Sequence, residues 1–218
     1  MSRAVIFDLD GTLIDSAPDI HAAANALMAR HGLAPFTPEE TRRFVGRGVP
    51  HFIACCLRAR GHEADKGLHA QLVAEFLRGY ENAVTLTRAY PGVPEALTEL
   101  ARGGHRLAIC TNKPVRPAQA VLDHLGLAAH FAAVIGGDSL DLRKPDPAPL
   151  HAAARALGAQ EVLFVGDSEV DAETAARAGL PFVLFTEGYR TSPVQTLPHA
   201  RAFDHFDALP GIVQNLLP

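Results

Sequence analysis

The chain has 218 residues, of which 48% are hydrophobic, 20% are charged and 6% are aromatic. This length favours one sizeable core with an insertion, and the composition excludes a small disulfide scaffold, a fibrous repeat and a disordered chain. Lys and Arg number 20 against 24 Asp and Glu, so the formal net charge of −4 lacks the basic excess of a dedicated nucleic-acid-binding protein. We therefore expect no nucleic-acid partner. Any phosphate group would be bound by a few residues at one site rather than by a basic surface.

The cysteines and the first residues of the chain are typical of a protein in a reducing compartment such as the cytoplasm. Cys55, Cys56 and Cys110 form neither a disulfide framework nor a CxxC metal motif, which is typical of a reducing environment. Asp8 interrupts the first apolar run before a signal-peptide hydrophobic region could form, and no stretch approaches the roughly 18 apolar residues of a membrane helix. The expectation is a cytoplasmic monomer or homodimer with no membrane partner.

Short apolar runs alternate with helical patterns along most of the chain. The runs predict buried strands at residues 4–7, 106–110, 133–135, 162–165 and 182–185. Helices are predicted at residues 93–102, 117–125, 147–157 and 171–178. Such alternation predicts an α/β fold whose core is a Rossmann-like parallel sheet covered by helices on both faces.

One region breaks the alternation, because residues 18–82 carry only helical patterns. These patterns predict helices at residues 18–30, 38–44, 49–60 and 66–81, with Pro18 and Pro38 suited to first turns. We predict a helical cap domain, residues 16–87, inserted into a core formed by residues 1–15 and 88–218. The connecting hinges are expected at residues 15–17 and 83–90.

Polar side chains follow the predicted strands at the points where the strands end. Ligands of open parallel sheets bind outside the carboxyl ends of the strands, so these residues are predicted to converge. In chain order they are Asp8 and Asp10, Thr111 and Asn112, Lys144, Asp167, and Asp171 one helical turn later.

The spacing of the acids favours a cation site. Asp167 and Asp171 share one helix face, where their negative charges repel each other. Their proximity becomes favourable if a divalent cation or a lysine lies between them. An all-oxygen set of ligands suits Mg²⁺. Singly, Asp8 and Asp10 could cap a helix and Lys144 could be a surface lysine. Their convergence on one sheet edge favours a site.

These residues resemble the four motifs of the haloacid dehalogenase superfamily of phosphohydrolases. The matching stretches are Asp8-Leu9-Asp10-Gly11-Thr12, Thr111, Lys144 and Gly166-Asp167-Ser168-Glu169-Val170-Asp171. Residues 13–19, 90–93, 111–114 and 136–138 further resemble the phosphoglycolate phosphatases of that superfamily. The helical insertion resembles the superfamily's α-helical cap.

The resemblance implies a two-aspartate mechanism. Asp8 would attack phosphorus and form an aspartyl-phosphate, and Asp10 would act as general acid and then as general base. Mg²⁺ would be held by Asp8, by the backbone carbonyl of Asp10 and by Asp167. Asp171 would position Lys144 or a metal-bound water.

The resemblance also implies the phosphate contacts and the substrate. Thr111, Asn112 and Lys144 would bind the phosphoryl group of a small phosphomonoester, most specifically 2-phosphoglycolate, which gives glycolate and phosphate. The cap would select the substrate, and Arg47 between Gly46 and Gly48 is predicted to pair with its carboxylate. A solvated surface arginine is the alternative, since Arg42 and Arg43 make this stretch basic.

Other functions compete with this one. A sugar-phosphate mutase such as a β-phosphoglucomutase shares the catalytic set, but its relatives carry an Arg-Glu pair where this chain has Gly48-Val49-Pro50. A dehalogenase lacks the second aspartate, which is present here as Asp10. A hydrolase of pyrophosphate or nucleoside phosphates stays open. From another class, a non-catalytic phosphoaspartate switch also gathers acids at strand ends, but without a helical insertion.

Overall fold

The computed structural model describes residues 2–62 and 65–217. Residues 1, 63–64 and 218, which belong to the predicted core and cap ranges, lie outside the described residues. The strands are Arg3–Phe7 (β1), Ile14–Asp15 (β2), Arg88–Ala89 (β3), Arg106–Cys110 (β4), Phe131–Ile135 (β5), Glu161–Gly166 (β6), Phe182–Phe185 (β7) and Arg201–Phe203 (β8). Six of them form one parallel sheet in the order β5-β4-β1-β6-β7-β8, which confirms the predicted α/β class.

The helices divide between the sheet and the region between β2 and β3. They are Ala17–Arg30 (α1), Pro38–Phe44 (α2), Val49–Ala59 (α3), Lys66–Tyr80 (α4), Val93–Arg102 (α5), Val115–His124 (α6), Ala148–Leu157 (α7), Glu169–Ala178 (α8) and Leu209–Leu216 (α9). None of the helices in the described ranges has the length and apolar character needed to cross a bilayer.

Both faces of the sheet are buried because the side chains of β1 alternate between two apolar clusters. Val5 and Phe7 lie in the cluster that includes residues of α5, α6 and α9, whereas Ala4 and Ile6 lie in the cluster that includes residues of α7 and α8. A strand buried on both faces is continuously apolar, so the apolar run in the sequence predicts this strand correctly.

The helices α1 to α4 share a third apolar cluster of their own. Within it, Phe76 lies between Phe52 and Tyr80, with ring centroids 5.3 and 5.1 Å away. The first turn of α2 is closed by a capping box, in which the Thr37 hydroxyl accepts from the Glu40 amide and the Glu40 carboxylate accepts from the Thr37 amide.

The main elements follow the sequence prediction, with bounds that differ by one or two residues. The strands β2 and β3, which form an antiparallel pair at the base of the insertion, were not predicted from the sequence. Two-residue strands are too short to show a pattern. The elements β8 and α9 were not predicted: two of the three β8 residues are exposed, and α9 begins Leu-Pro-Gly.

Candidate active site

The order of the sheet places the motif residues side by side. β1 lies between β4 and β6, so Asp8, Thr111 and Asp167 follow the carboxyl ends of three adjacent strands. The Asp8 amide donates to the carbonyl of Val165 at 2.9 Å and extends the pairing with β6 by one residue. The predicted convergence of the strand ends is thus what the structure shows.

Three buried carboxylates and one lysine meet at this edge. Asp8, Asp167 and Asp171 each offer an oxygen within 4.8 Å of the others. The Lys144 ammonium lies 2.8 Å from Asp8 Oδ1 and 2.6 Å from Asp171 Oδ1. Three carboxylates against one ammonium leave the cluster with an excess of negative charge in a place where water cannot screen it.

That excess shows in the acid–base properties of the cluster. Burial raises the pKa of Asp8 from its usual 3.8 to about 7, because the nearby Lys144 offsets only part of the desolvation and Asp171 adds repulsion. Burial, with repulsion from Asp171 and Asp8, also holds the pKa of Asp167 well above its usual range. A divalent cation would supply the missing positive charge, and the all-oxygen donor set fits Mg²⁺.

Asp167 and Asp171 are held from several directions. Asp167 accepts from the Thr12 hydroxyl at 2.8 Å and from the Tyr189 amide at 2.6 Å. Asp171 closes a capping box with Ser168 at the start of α8, which fixes its carboxylate beside Lys144. The predicted role of Asp171 as a positioning residue for Lys144 therefore has a geometric basis.

Asp10 has a separate set of partners. Its Oδ1 accepts from the Ser16 hydroxyl at 2.6 Å and lies 3.0 Å from the Lys113 ammonium. Lys113 also donates to the hydroxyl of Tyr80, at the end of α4, and lies 4.4 Å from the centre of that ring. The contact of Asp10 with Lys113 was not predicted, although Lys113 directly follows the strand-end pair Thr111-Asn112.

Asn112 ties loops together in this conformation. Its side-chain amide donates to the carbonyls of Gly46 at 2.9 Å and Lys144 at 3.0 Å, and its oxygen accepts from the Lys144 amide at 3.0 Å. Both amide hydrogens are thus engaged by protein. The Thr111 hydroxyl accepts from the Lys113 amide at 3.2 Å, so its own hydrogen can be offered to a ligand.

Glycines after β5 bring these loops into contact. A Cβ on Gly137 would lie 2.3 Å from the carbonyl oxygen of Asn112, and a Cβ on Gly136 would lie 2.7 Å from the amide of Val115. Asp138 accepts from that same amide at 2.8 Å. The stretch at residues 136–138 therefore lets the loop after β5 pack against the loop after β4.

A cleft opens over Asp8 and Asp10, beneath α1, α3 and α4. It encloses about 480 Å³, counting the solvent at its mouth. Its described lining residues are Asp8, Asp10, Ile20, Val45, Gly46, Gly48, Val49, Phe52, Phe76, Tyr80, Thr111, Asn112, Lys113 and Pro114. Arg47 is exposed and is not among them, so the structure does not bring the predicted carboxylate-binding arginine to the cleft.

Tyr189 joins the site to the hinge, and sequence patterns gave no sign of it. Its hydroxyl accepts from the amides of Ser16 at 2.8 Å and Ala17 at 2.9 Å and donates to Asp15 at 2.7 Å. Arg42 on α2 reaches the same aspartate at 2.8 Å. One residue therefore holds Asp167 through its backbone and, through its side chain, residues 15–17, where the first hinge is predicted.

Comparison with known proteins decides the family. The family described as haloacid dehalogenase-like hydrolases matches residues 2–179. The chain belongs to the haloacid dehalogenase-like hydrolases. This hydrolase is 53% identical to a protein of Cereibacter sphaeroides (strain ATCC 17029) and 49% identical to one of Rhodobacter capsulatus, over 98% of this chain and 98% of each relative. Both relatives are called phosphoglycolate phosphatase.

A solved structure agrees with the sequence comparison. The crystal structure of a predicted phosphoglycolate phosphatase from Haemophilus somnus matches this haloacid dehalogenase-like hydrolase with a TM-score of 0.89 at 29% identity, over 98% of both chains. The predicted resemblance is confirmed, and with it the class of enzyme.

Proposed function

We propose that the chain is a Mg²⁺-dependent phosphomonoester hydrolase whose substrate is 2-phosphoglycolate. The cluster of three buried carboxylates beside Lys144 is the observation that carries the proposal. The name shared by full-length relatives at 49–53% identity supports the choice of substrate. We further propose that residues 16–87 form the cap and that the enzyme acts in the cytoplasm.

Asp8 is proposed as the nucleophile. Its carboxylate lies at the floor of the cleft, 2.8 Å from Lys144, which would also neutralise charge on the transferring phosphoryl group. The Thr111 hydroxyl can donate to the same group. A contact from Asn112 would come from its backbone amide, since its side chain already bridges two loops.

Asp10 is proposed as the general acid for the leaving oxygen and then as the general base for the attacking water. It lies two residues beyond the nucleophile and lines the same cleft. Asp8, Asp167 and the backbone carbonyl of Asp10 would hold Mg²⁺, which when bound offsets negative charge on the phosphoryl group.

The test is a phosphate-release assay of the purified chain with Mg²⁺ and a panel of small phosphomonoesters. Repeated turnover, highest on 2-phosphoglycolate, is expected. At most one phosphate per chain would instead indicate a phosphoaspartate switch, and a clear preference for pyrophosphate or hexose phosphates would overturn the proposed substrate.

Two variants separate the roles of the aspartates. Asp8→Asn should abolish turnover, and Asp10→Asn should lower it about 10²- to 10⁴-fold, the usual contribution of general acid–base catalysis. An aryl phosphate needs no proton on its leaving group, so Asp10→Asn should release one aryl alcohol and stay phosphorylated. Mass spectrometry of the quenched protein should find the phosphoryl group on Asp8. Turnover near wild type in Asp8→Asn would exclude the nucleophile.

A further inference from the structure

Lys113 lies in the proposed active site, but the proposed mechanism gives it no role. It follows β4, its side chain is 4% exposed, and its ammonium lies 3.0 Å from Asp10 Oδ1. Among the lining residues in the described part of the chain it alone carries a positive charge. A lysine is ordinarily protonated at neutral pH, and the Asp10 carboxylate beside it favours the charged form.

Apart from Lys113, the described lining residues offer a carboxylate only neutral donors, such as the hydroxyl groups of Tyr80 and Thr111. Opposite Lys113, the cap side of the cleft is lined by apolar side chains, among them Val49, Phe52 and Phe76. Burying a carboxylate against such a wall is costly unless a cation or several donors pair with it. The exposed Arg47 lies outside the cleft, which leaves Lys113 as the available cation.

The position of Lys113 matches the structure of a small carboxylated ester. A general acid must lie within about 2.6–3.2 Å of the leaving oxygen that it protonates. In 2-phosphoglycolate the carboxyl carbon is two bonds from that oxygen. A leaving oxygen beside Asp10 therefore places the carboxylate next to the ammonium that already touches Asp10.

We propose that Lys113 is the specificity residue that binds the carboxylate of the substrate. Asp10 and Tyr80 hold the ammonium at the floor of the cleft. The bound carboxylate then takes up part of that contact. This inference rests on the proposed function, since it assumes that an ester is cleaved with its leaving oxygen beside Asp10.

The test compares 2-phosphoglycolate with ethyl phosphate, which replaces the carboxylate with a methyl group. The readout is the ratio of the two kcat/KM values, because loss of the Lys113 contact to Asp10 affects both esters alike. Lys113→Met should lower this ratio about 10- to 100-fold, as expected for one lost charge-assisted bond. Arg47→Ala, the matched removal of a nearby cation outside the cleft, should leave the ratio within about threefold.

A binding measurement keeps the test decisive if the variant is too slow to assay. 3-Phosphonopropionate and propylphosphonate mimic the two esters but cannot be hydrolysed. With Mg²⁺ present, calorimetry should show that wild type prefers the carboxylated compound and that Lys113→Met has lost the preference. Lys113→Gln, which keeps a polar group of similar length, serves if the Met variant does not give the thermal unfolding transition of wild type.

The outcomes separate this inference from the proposed function. Equal losses on both esters, or a wild type that cleaves both without preference, would overturn the role of Lys113 and leave the phosphatase standing. A loss of preference in Arg47→Ala with none in Lys113→Met would assign the carboxylate to the arginine and overturn the inference. A wild type that cleaves neither ester would overturn both.

Discussion

At the scale of single residues, the carboxylate cluster makes stability depend on pH. Between about pH 4 and pH 7 the folded, metal-free protein keeps a proton on Asp8 that the unfolded chain has lost, because folding raises the pKa from 3.8 to about 7. Unfolding then releases a proton, so the contribution of this group to stability falls as the pH rises through that range. Asp167, whose pKa is also raised, acts in the same direction.

We therefore expect Asp8→Asn to stabilise the metal-free protein increasingly as the pH rises. The free energy of unfolding of the variant minus that of wild type should grow by at most about 1.4 kcal/mol per pH unit for one proton. Urea unfolding in EDTA between about pH 5 and pH 8 measures this difference. A difference that does not change with pH would contradict the raised pKa of Asp8.

Most of the site residues that the sequence predicted follow continuous apolar strands. Asp8, Thr111 and Asp167 could be placed together because a run of buried residues marks the strand before each of them. The partners that hold them were not predictable in this way. Tyr189 lies in a loop after β7, and its contacts with Asp167 and Asp15 join residues 22 and 174 positions apart.

At the scale of elements, the loop after β7 approaches the site very closely. A Cβ on Gly188 would lie 2.3 Å from Asp167 Oδ2 and 2.4 Å from the carbonyl oxygen of Gly11. Since the contact with Gly11 is with backbone, the loop cannot yield by a side-chain rotation alone. Glycine is required there for space.

Gly188→Ala should therefore displace Asp167 and weaken Mg²⁺ binding about tenfold or more, the size of effect seen when residues supporting metal ligands are changed. Mg²⁺ titration of activity measures the effect. Gly79→Ala, at an exposed helical position where a Cβ meets nothing within 4 Å, is the matched control and should bind Mg²⁺ like wild type. Unchanged Mg²⁺ affinity in Gly188→Ala would show that the loop yields freely.

The segment that leads from α4 back to the sheet, where the second hinge is predicted, is held by one buried carboxylate at the start of α1. Asp19 accepts from the amides of Leu86 at 3.0 Å and Thr87 at 2.7 Å and from the Thr87 hydroxyl at 2.7 Å. Asp19→Ala would leave the buried donors of Thr87 without a partner, so we expect a loss of about 1–3 kcal/mol in the free energy of unfolding.

Urea unfolding at neutral pH measures this loss, with Asp19→Asn as the control that keeps an oxygen acceptor. The Asn variant should lose less than the Ala variant. If both lie within about 0.5 kcal/mol of wild type, the range of ordinary surface substitutions, the carboxylate does not secure the hinge.

Helices and strands could be predicted where burial leaves a pattern in the sequence, either a continuous apolar run or a regular spacing of apolar residues. The helices α5 and α2 begin and end where the sequence predicted, since apolar spacing or a proline and capping box mark their ends. The strands β2, β3 and β8 are short and partly exposed, so their positions are set by pairing partners far away in the chain rather than by their own pattern.

At the scale of the whole molecule, the proposed cation should affect both activity and stability. Chelation should remove activity and Mg²⁺ restore it, whereas Ca²⁺ should restore it poorly because its larger and more variable coordination does not suit an in-line phosphoryl transfer. Thermal unfolding followed with each ion should show stabilisation by both, since either offsets the charge of the cluster. Full activity after exhaustive dialysis against EDTA would contradict the metal role of Asp167.

The central place of β1 in the sheet bears on how the protein is made. A ribosome releases Arg3–Phe7 well before the neighbouring strands, because Arg106–Cys110 and Glu161–Gly166 lie far later in the sequence. The contacts of α1 to α4 are local in sequence and can form meanwhile, because short loops close quickly. A nascent chain thus carries an unpaired apolar strand ahead of its helical segment. We expect this strand to be the part of the nascent protein that chaperones bind. The proposed nucleophile Asp8, next to the strand, would then be made before the other proposed catalytic groups but would be among the last to reach its folded environment.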